Sequence, residues 1–364
     1  MPKKNNKQKK SAVKAVVKQP QRKAEKPRDY SVLVLDKYIP DALVARDTQI
    51  KEIQKWIDAF IKTGYGKSLV LEGPTGAGKT ASIRYALQNI DPKHYTYITC
   101  KGNNEVRGIL ADVGSVTMVQ RDTKKSIMDK VKASLQQNKK LVILDDITVT
   151  PIFPELVDCL NEVYRDTPVP FFLTTNYNNF LTKIPGDAKS TFNFIIVNFN
   201  KYKAPEIENI IKGRLKAVGE KLPEATIKYI AALAAQEGSA RTALDLVYEA
   251  LTTKLITEKD IQTAFNKRKE QSYNDSLANL QPTEKRVLNS ILNRYATTKR
   301  ASTYEDIQGE CSLSQPRVTQ VIQELEKSGR VTTYKERGRK ICSPEPLLVK
   351  LYQENQEKVN DLLR

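Results

Sequence analysis

The sequence predicts a parallel-sheet α/β domain built on a phosphate-binding loop, then a helical domain, then a C-terminal module of helices and a hairpin. Three observations lead there. The apolar run Leu69-Val70-Leu71 ends abruptly in Gly73-Pro74-Thr75-Gly76-Ala77-Gly78-Lys79-Thr80, which opens a helix. A second apolar run, Leu141 to Leu144, ends in Asp145-Asp146, the pattern of a central strand buried on both faces. From Ala204 the apolar residues follow the helical period, and the last hundred residues read as helix, helix, turn, helix and a basic hairpin.

In chain order, residues 1–29 are rich in Lys, Gln, Asn and Pro and have almost nothing to bury, so they read as a disordered tail. Its runs Lys3-Lys4 and Lys9-Lys10 fit a nuclear localisation signal or a non-specific nucleic-acid arm, or a solubilising tail. Residues 47–62 form an amphipathic helix through Ile50, Ile53, Trp56, Ile57 and Phe60. After the loop and its helix (78–89) come a strand at 95–100, helices at 104–113 and 124–137, and further strands at 169–174 and 194–199. Strands alternating with helices argue for a parallel sheet covered on both faces. The helical domain follows with stripes through Ile207, Ile210, Ile211 and Leu215, through Ile227, Ile230 and Leu233, and over 243–255. Thr257-Glu258-Lys259-Asp260 resembles a capping start for one more helix, and residues 267–279 lose their periodicity and read as a linker. In the last segment a helix carries Val287, Leu288, Ile291, Leu292 and Tyr295; a short helix spans 303–309. A third helix begins near Ser314 and Pro316 and buries Val318, Val321, Ile322 and Leu325. Gly329 ends it, and residues 330–342 read as a hairpin, which together is the order of a winged helix. The domains predicted are a basic tail (1–29), the sheet domain (30–201), a helical lid (202–270), the winged helix (271–345) and a C-terminal helix (346–364).

Charge and composition narrow the chemistry. The 364 residues carry a net charge of +18, and residues 1–29, with eleven Lys/Arg against two Asp/Glu, hold half of that excess. Four cysteines lie far apart, and His94 is the single histidine, so zinc binding and histidine-based catalysis are excluded and a reducing, intracellular setting fits. No apolar run is long enough to span a bilayer, and a soluble protein with no membrane partner is expected.

The spacing Gly73 to Gly78-Lys79-Thr80 is that of a loop whose backbone amides wrap phosphates, whose lysine reaches their outer oxygens and whose hydroxyl sits on magnesium. Helix amides and dipole behind it favour an anion. Given such a loop, Asp145 is the acidic partner that holds the magnesium shell opposite Thr80, and Asp146 orients an attacking water. Asn176, after Thr174-Thr175, either places an amide near a terminal phosphate or caps the following turn. Arg241 lies in the first turns of a helix, where the dipole opposes a cation; an external anion explains it better than helix stability, an exposed surface charge being the alternative.

Taken in order, Tyr38-Ile39-Pro40 with Leu43 and Arg46, GPTGAGKT at 73–80, LVILDD at 141–146, TTN at 174–176, GSARTAL at 238–244 and the C-terminal winged-helix pattern resemble a AAA+ ATPase. More narrowly, they resemble the replication-initiator family shared by origin recognition complex subunit one and cell division control protein six, over residues 30 to 345. The resemblance implies ATP with Mg2+ between sheet and lid, Asn176 as sensor one and Arg241 as sensor two. It places the segment from Tyr38 to Arg46, with Leu43, against the adenosine, and duplex DNA on the winged helix. It also implies other AAA+ replication subunits and a replicative helicase as partners, in a nucleus if the cell is eukaryotic and in the cytoplasm or nucleoid if archaeal.

Two positions depart from that family. Asp146 stands where glutamate is usual and is shorter by roughly 1.5 Å, so hydrolysis is expected to be slow and ATP to act mainly as an assembly and conformational switch. Asp187 stands near the position of a partner-reaching arginine, with Lys189 or Arg165 as substitutes. On the third winged-helix helix, Gln315, Arg317, Thr319, Gln320 and Gln323 form the exposed face suited to base edges, and Arg337, Arg339 and Lys340 at the hairpin tip suit phosphates or the minor groove. The rival readings are a clamp-loader or checkpoint-loader subunit, which would end in a helical collar, and a winged-helix regulatory ATPase.

Overall fold

The computed structural model describes residues 30–34, 38–100, 105–148, 152–177, 179–254, 256–278, 280–327, 329–336, 338–354 and 356–363. The basic tail and Arg337 lie outside the described residues. A short helix, α1 (Ser31–Val34), precedes α2 (Asp47–Thr63), whose Ile50, Ile53, Ile57 and Phe60 are buried, as their spacing predicts.

Five parallel strands follow: β1 (Leu69–Glu72), β2 (Tyr95–Thr99), β3 (Leu141–Asp145), β4 (Phe171–Thr175) and β5 (Ile195–Asn198), in the order β2-β3-β4-β1-β5. The helices between them are α3 (Lys79–Leu87), α4 (Val106–Gly114), α5 (Lys124–Gln137), α6 (Phe153–Asp166) and α7 (Gly186–Phe192). Alternation along the strands sends side chains to two cores. Leu69, Leu71, Leu141, Ile143 and Phe172 meet α2 and α3 through Ile53, Ile57 and Ile83. Val70, Val142, Leu144, Phe171 and Leu173 meet α4, α5 and α6 through Ile109, Val131 and Leu160. Burial on both faces explains the unbroken apolar runs in β1 and β3. The carboxyl ends of β1, β3 and β4 lie side by side, and there an open α/β sheet offers its binding crevice.

Helices α8 (Ala204–Val218), α9 (Glu224–Glu237), α10 (Ala240–Thr253) and α11 (Glu258–Ala278) build a third core, through Ile207, Ile211, Ile230, Leu246 and Phe265. Two boundaries differ from those predicted. Leu33 of α1 packs into this helical core, and the Tyr30 hydroxyl donates to Glu220 at 2.8 Å, so residues 30–34 attach to the lid and not to the sheet. The stretch predicted as a linker at 267–279 is helical as far as Ala278. Ile261 and Phe265 anchor α11 in the lid core and Leu277 anchors it in the next one, while the intervening Lys, Arg, Glu and Gln are good helix formers that need no burial.

The third unit comprises α12 (Pro282–Thr298), β6 (Ser302–Thr303), α13 (Tyr304–Cys311), α14 (Gln315–Lys327), β7 (Val331–Glu336), β8 (Arg339–Pro344), α15 (Pro346–Glu354) and α16 (Gln356–Leu363). Its antiparallel sheet has the order β6-β8-β7. Val287, Ile291, Ile307, Val318 and Ile322 share its core with Leu348, Tyr352, Val359 and Leu363. The single C-terminal helix predicted at 346–364 is therefore two helices, and both belong to this core.

Candidate nucleotide site

The loop between β1 and α3 is held from both sides. Gly73 has φ +155°, and a Cβ there would lie 2.3 Å from the Phe199 carbonyl oxygen, so a side chain would push the loop off β5. From behind, the Arg46 Nε donates to the Ala77 carbonyl at 2.8 Å and Nη2 to the Asn200 carbonyl at 2.9 Å, with the guanidinium 3.7 Å from the Tyr202 ring centroid. Arg46 is buried, and neither it nor Leu43 lines the cleft in front of the loop. Arg46 thus clamps the loop's reverse side, while Tyr38 of the same segment lines the cleft.

In front of the loop, the Lys79 Nζ donates to the Gly73 carbonyl at 2.6 Å, the Pro74 carbonyl at 2.9 Å and Asn176 Oδ1 at 2.8 Å. Burial lowers its pKa from the ordinary 10.5 to about 8, although Asp146 and Asp145 pull it upward. Asn176 turns its Nδ2 toward Asp146 Oδ1 at 3.2 Å and so bridges the lysine and the second aspartate. Asp145 closes the floor: its Oδ1 accepts from Thr80 Oγ1 at 2.9 Å and from Thr174 Oγ1 at 2.6 Å, and its Oδ2 from Tyr97 Oη at 2.5 Å. Thr174 Oγ1 in turn accepts from the Asp146 amide at 2.7 Å, which fixes the turn in which Asp146 sits at φ +60°. Lys79, Thr80, Asp145, Asp146 and Asn176, five residues picked out by sequence, are thereby joined in one network.

The lid completes the cleft. Ser239 caps α10 by accepting from the Thr242 amide at 3.2 Å, and the Ala240 amide donates to the Gly76 carbonyl at 3.2 Å, so the helix that carries Arg241 begins on the loop itself. The cleft holds about 380 Å³ and is lined by Gly76, Lys79, Asp146, Asn176 and Arg241 at one end and by Val32, Leu33, Tyr38, Arg214 and Leu244 at the other. Sequence reasoning missed Arg214, whose Cζ lies 4.3 Å from the Tyr38 ring centroid, and missed Tyr97. Arg214 sits inside an ordinary helical stripe with no motif to mark it; Tyr97 alternates with Tyr95 and Thr99 along β2, a weak signal for one face of an edge strand. A larger hollow of about 770 Å³ lies in the C-terminal unit beside Arg294, Arg300 and Arg339, but it is open, and although Glu305 and Asp306 line it, no lysine or glycine-rich loop does. The chemistry, and not the size, selects the cleft at the loop.

Elsewhere, Gln315, Arg317, Gln320 and Gln323 are exposed on α14 and Thr319 is half-buried. Arg317 Nη1 donates to Gln320 Oε1 at 2.8 Å, and Gln320 Nε2 to Glu324 Oε1 at 3.1 Å. Arg339 and Lys340 are exposed at the start of β8. Asp187 accepts from Asn161 at 3.0 Å and lies 3.5 Å from Arg165 Nη2, so one of the two substitutes named for the partner-reaching arginine is paired within its own chain.

The fold and the loop define the class: a AAA-type nucleotide-binding protein, and residues 62–182 match the model of a AAA domain. Nearly the whole chain matches one narrower group. The chain is 28% identical to ORC1-type DNA replication protein 1 of Sulfolobus acidocaldarius, over 91% of this chain and 94% of that protein. The solved structure of the Aeropyrum pernix ORC1 protein in complex with DNA superposes with a TM-score of 0.73 at 21% identity, covering 93% of this chain and 98% of that one. That of Cdc6p from Pyrobaculum aerophilum gives 0.56 at 18% identity, covering 92% and 99%. Over nearly its whole length the chain is thus similar to ORC1-type proteins, in line with the resemblance that the motif order carries.

Proposed function

We propose that this chain is an ATP-dependent, DNA-binding replication initiator in which bound ATP acts chiefly as a conformational and assembly switch. The observation that carries the reading is the direct seat of the lid helix on the phosphate loop, Ala240 to Gly76, with Arg241 facing the cleft. A ligand on the loop then bears at once on the lid. Lys79 holds the outer phosphate oxygens, Asn176 senses the terminal phosphate from β4, and Arg241 senses it from the lid.

Mg2+ fits the donors at hand. Thr80 and Asp145 offer hard oxygens, and among the described residues there is no cluster of three His, Cys, Asp or Glu, so the remaining ligands would be phosphate oxygens and water, as magnesium prefers. When bound, it would neutralise negative charge on the phosphates. Asp146 is the water-orienting group, and its short reach supports slow hydrolysis, since a displacement of about 1 Å can cost around a hundredfold in rate.

The domain limits, with α1 moved to the lid, give a sheet domain to about residue 201, a lid to about 270 and a winged helix beyond. The helix, strand, two-helix and hairpin order of α12 to β8 supports the winged helix and disfavours a clamp loader's helical collar. Duplex DNA would meet α14 through Gln315, Arg317 and Gln320, and the hairpin through Arg339 and Lys340. Arg337 at the tip belongs to the same proposal from sequence alone. An Arg317→Ala change should lower affinity for a preferred duplex by about 1–3 kcal/mol and relax discrimination there. By contrast, Lys340→Ala should weaken all duplexes alike and reduce the salt slope by about one. Competition assays on several duplexes at two salt concentrations separate the two; equal behaviour of both variants would remove α14 from base reading. Other AAA+ subunits and a replicative helicase remain the proposed protein partners. The curated relatives are archaeal proteins, which favours cytoplasm or nucleoid over a nucleus, and among the described residues no helix is long and apolar enough to cross a membrane.

Helix α11 gives the switch its route. Asp245, one turn after Arg241 and on the cleft wall, pairs with Arg268 of α11 at 2.5 Å, and the same helix plants Leu277 in the winged-helix core. The test is duplex binding with ATP, with ADP and without nucleotide, for wild type and Arg268→Ala. Wild type should distinguish the states, and the variant should shrink the ATP-to-ADP ratio by roughly 3- to 10-fold, toward the low end for a contacting pair because this one is partly exposed. Identical DNA binding by wild type in all three states would end the switch reading.

A further inference from the structure

Tyr97 has no place in the motifs, yet it touches the most constrained carboxylate of the site. It is the third residue of β2, opposite Ile143 of β3, and its hydroxyl reaches Asp145 Oδ2, two residues further along β3, at 2.5 Å. The other oxygen, Oδ1, accepts from Thr80 on α3 and Thr174 on β4. Three elements thus hold one carboxylate. A hydroxyl that offers a lone pair to a cation keeps its hydrogen, so Thr80 can face a cation and still donate to Asp145 Oδ1. Thr174 is committed on both sides, to Asp145 and to the Asp146 amide. Tyr97 remains to fix the rotation of the carboxylate through Oδ2.

The ring itself is pinned. Arg84, one turn beyond Thr80 on the same helix, places its guanidinium 5.3 Å from the Tyr97 ring centroid.

We propose that Tyr97 is a positioning residue for the divalent-cation half of the nucleotide site, orienting Asp145 through Oδ2 so that Oδ1 faces Thr80. This rests on the assignment of Thr80 and Asp145 to the cation. The experiment measures the affinity of the full-length protein for a fluorescent ADP and for a non-hydrolysable ATP analogue. Magnesium is titrated from an EDTA-containing buffer upward, for wild type, Tyr97→Phe and Asp145→Asn. Tyr97→Phe should leave binding in EDTA unchanged and raise the magnesium midpoint by about 10- to 100-fold, the cost of losing an outer partner of a metal-binding carboxylate. An unmoved midpoint overturns the proposal. So does equal weakening with and without magnesium, which would mean a merely structural ring. If Asp145→Asn also leaves the magnesium response intact, the cation assignment itself fails; if Asp145→Asn abolishes the response and Tyr97→Phe does not alter it, only the role of Tyr97 fails.

Discussion

Lys79→Ala is expected to reduce nucleotide affinity by roughly 2–5 kcal/mol, about 30-fold to several thousand-fold, the cost of deleting one partner of a desolvated charge pair. The ammonium is buried and already gathered toward the site by the Gly73 and Pro74 carbonyls and Asn176, so phosphate oxygens would meet a pre-positioned cation and not a mobile one. The DNA affinity of the variant should no longer respond to ATP. Its fold should survive, because the same change removes a buried charge whose depressed pKa shows it to be poorly solvated there.

A pH signature accompanies this. With a free-protein pKa of about 8, Lys79 is charged below pH 8 and increasingly neutral above it. Phosphate favours the charged form, so binding above pH 8 must take up a proton, and the log of affinity should fall with pH by up to about one per unit. For folding of the ligand-free protein the sign is opposite. The folded pKa lies below the unfolded 10.5, so the stability linked to this group is fully present above 10.5 and is lost as pH falls through about 8. Calorimetric titration at pH 7, 8 and 9 checks both the affinity loss and the slope; a pH slope persisting in Lys79→Ala would assign the proton to another group.

Gly76→Ala should be nearly as damaging although it removes no functional group. Gly76 has φ +79°, a conformation that costs an alanine about 1–2 kcal/mol. The new Cβ would lie 2.2 Å from Ser239 Oγ and 2.9 Å from Ser239 Cβ, so the lid must move. Ser239 is buried and caps α10, and displacing it forfeits a cap worth about 0.5–2 kcal/mol. Together these should weaken nucleotide binding by roughly 30-fold or more and lower the melting temperature. DNA binding without nucleotide should change little, because the winged-helix core is untouched. Wild-type nucleotide affinity in this variant would show that the lid does not rest on the loop in solution.

The parallel sheet, the loop and the carboxylate at the end of β3 were legible in the sequence because each is written in contiguous residues. A strand buried on both faces leaves an unbroken apolar run, and a phosphate loop needs glycines at fixed spacing. Lys79, Thr80, Asp145 and Asn176 stood out for the same reason, the first two opening the helix after the glycine loop and the others lying at strand ends. Arg46 was assigned to the ligand because its segment resembled one that lies against adenosine; packing turned its guanidinium to the Ala77 and Asn200 carbonyls, a decision made by partners 31 and 154 residues away. The polar middle of α11 read as a linker because periodicity reports burial, and the apolar anchors of this helix are Ile261 and Phe265 in one core and Leu277 in another. Tyr97 and Arg214 were invisible for a related reason. A single polar side chain acquires a role when distant elements bring it an acceptor or a ring, and no spacing along the chain encodes that meeting. The sequence by itself determined which local structures form and what the loop can hold; only the tertiary structure decided which side chains aim it, back it and connect it to the lid, because those contacts join elements far apart in the chain.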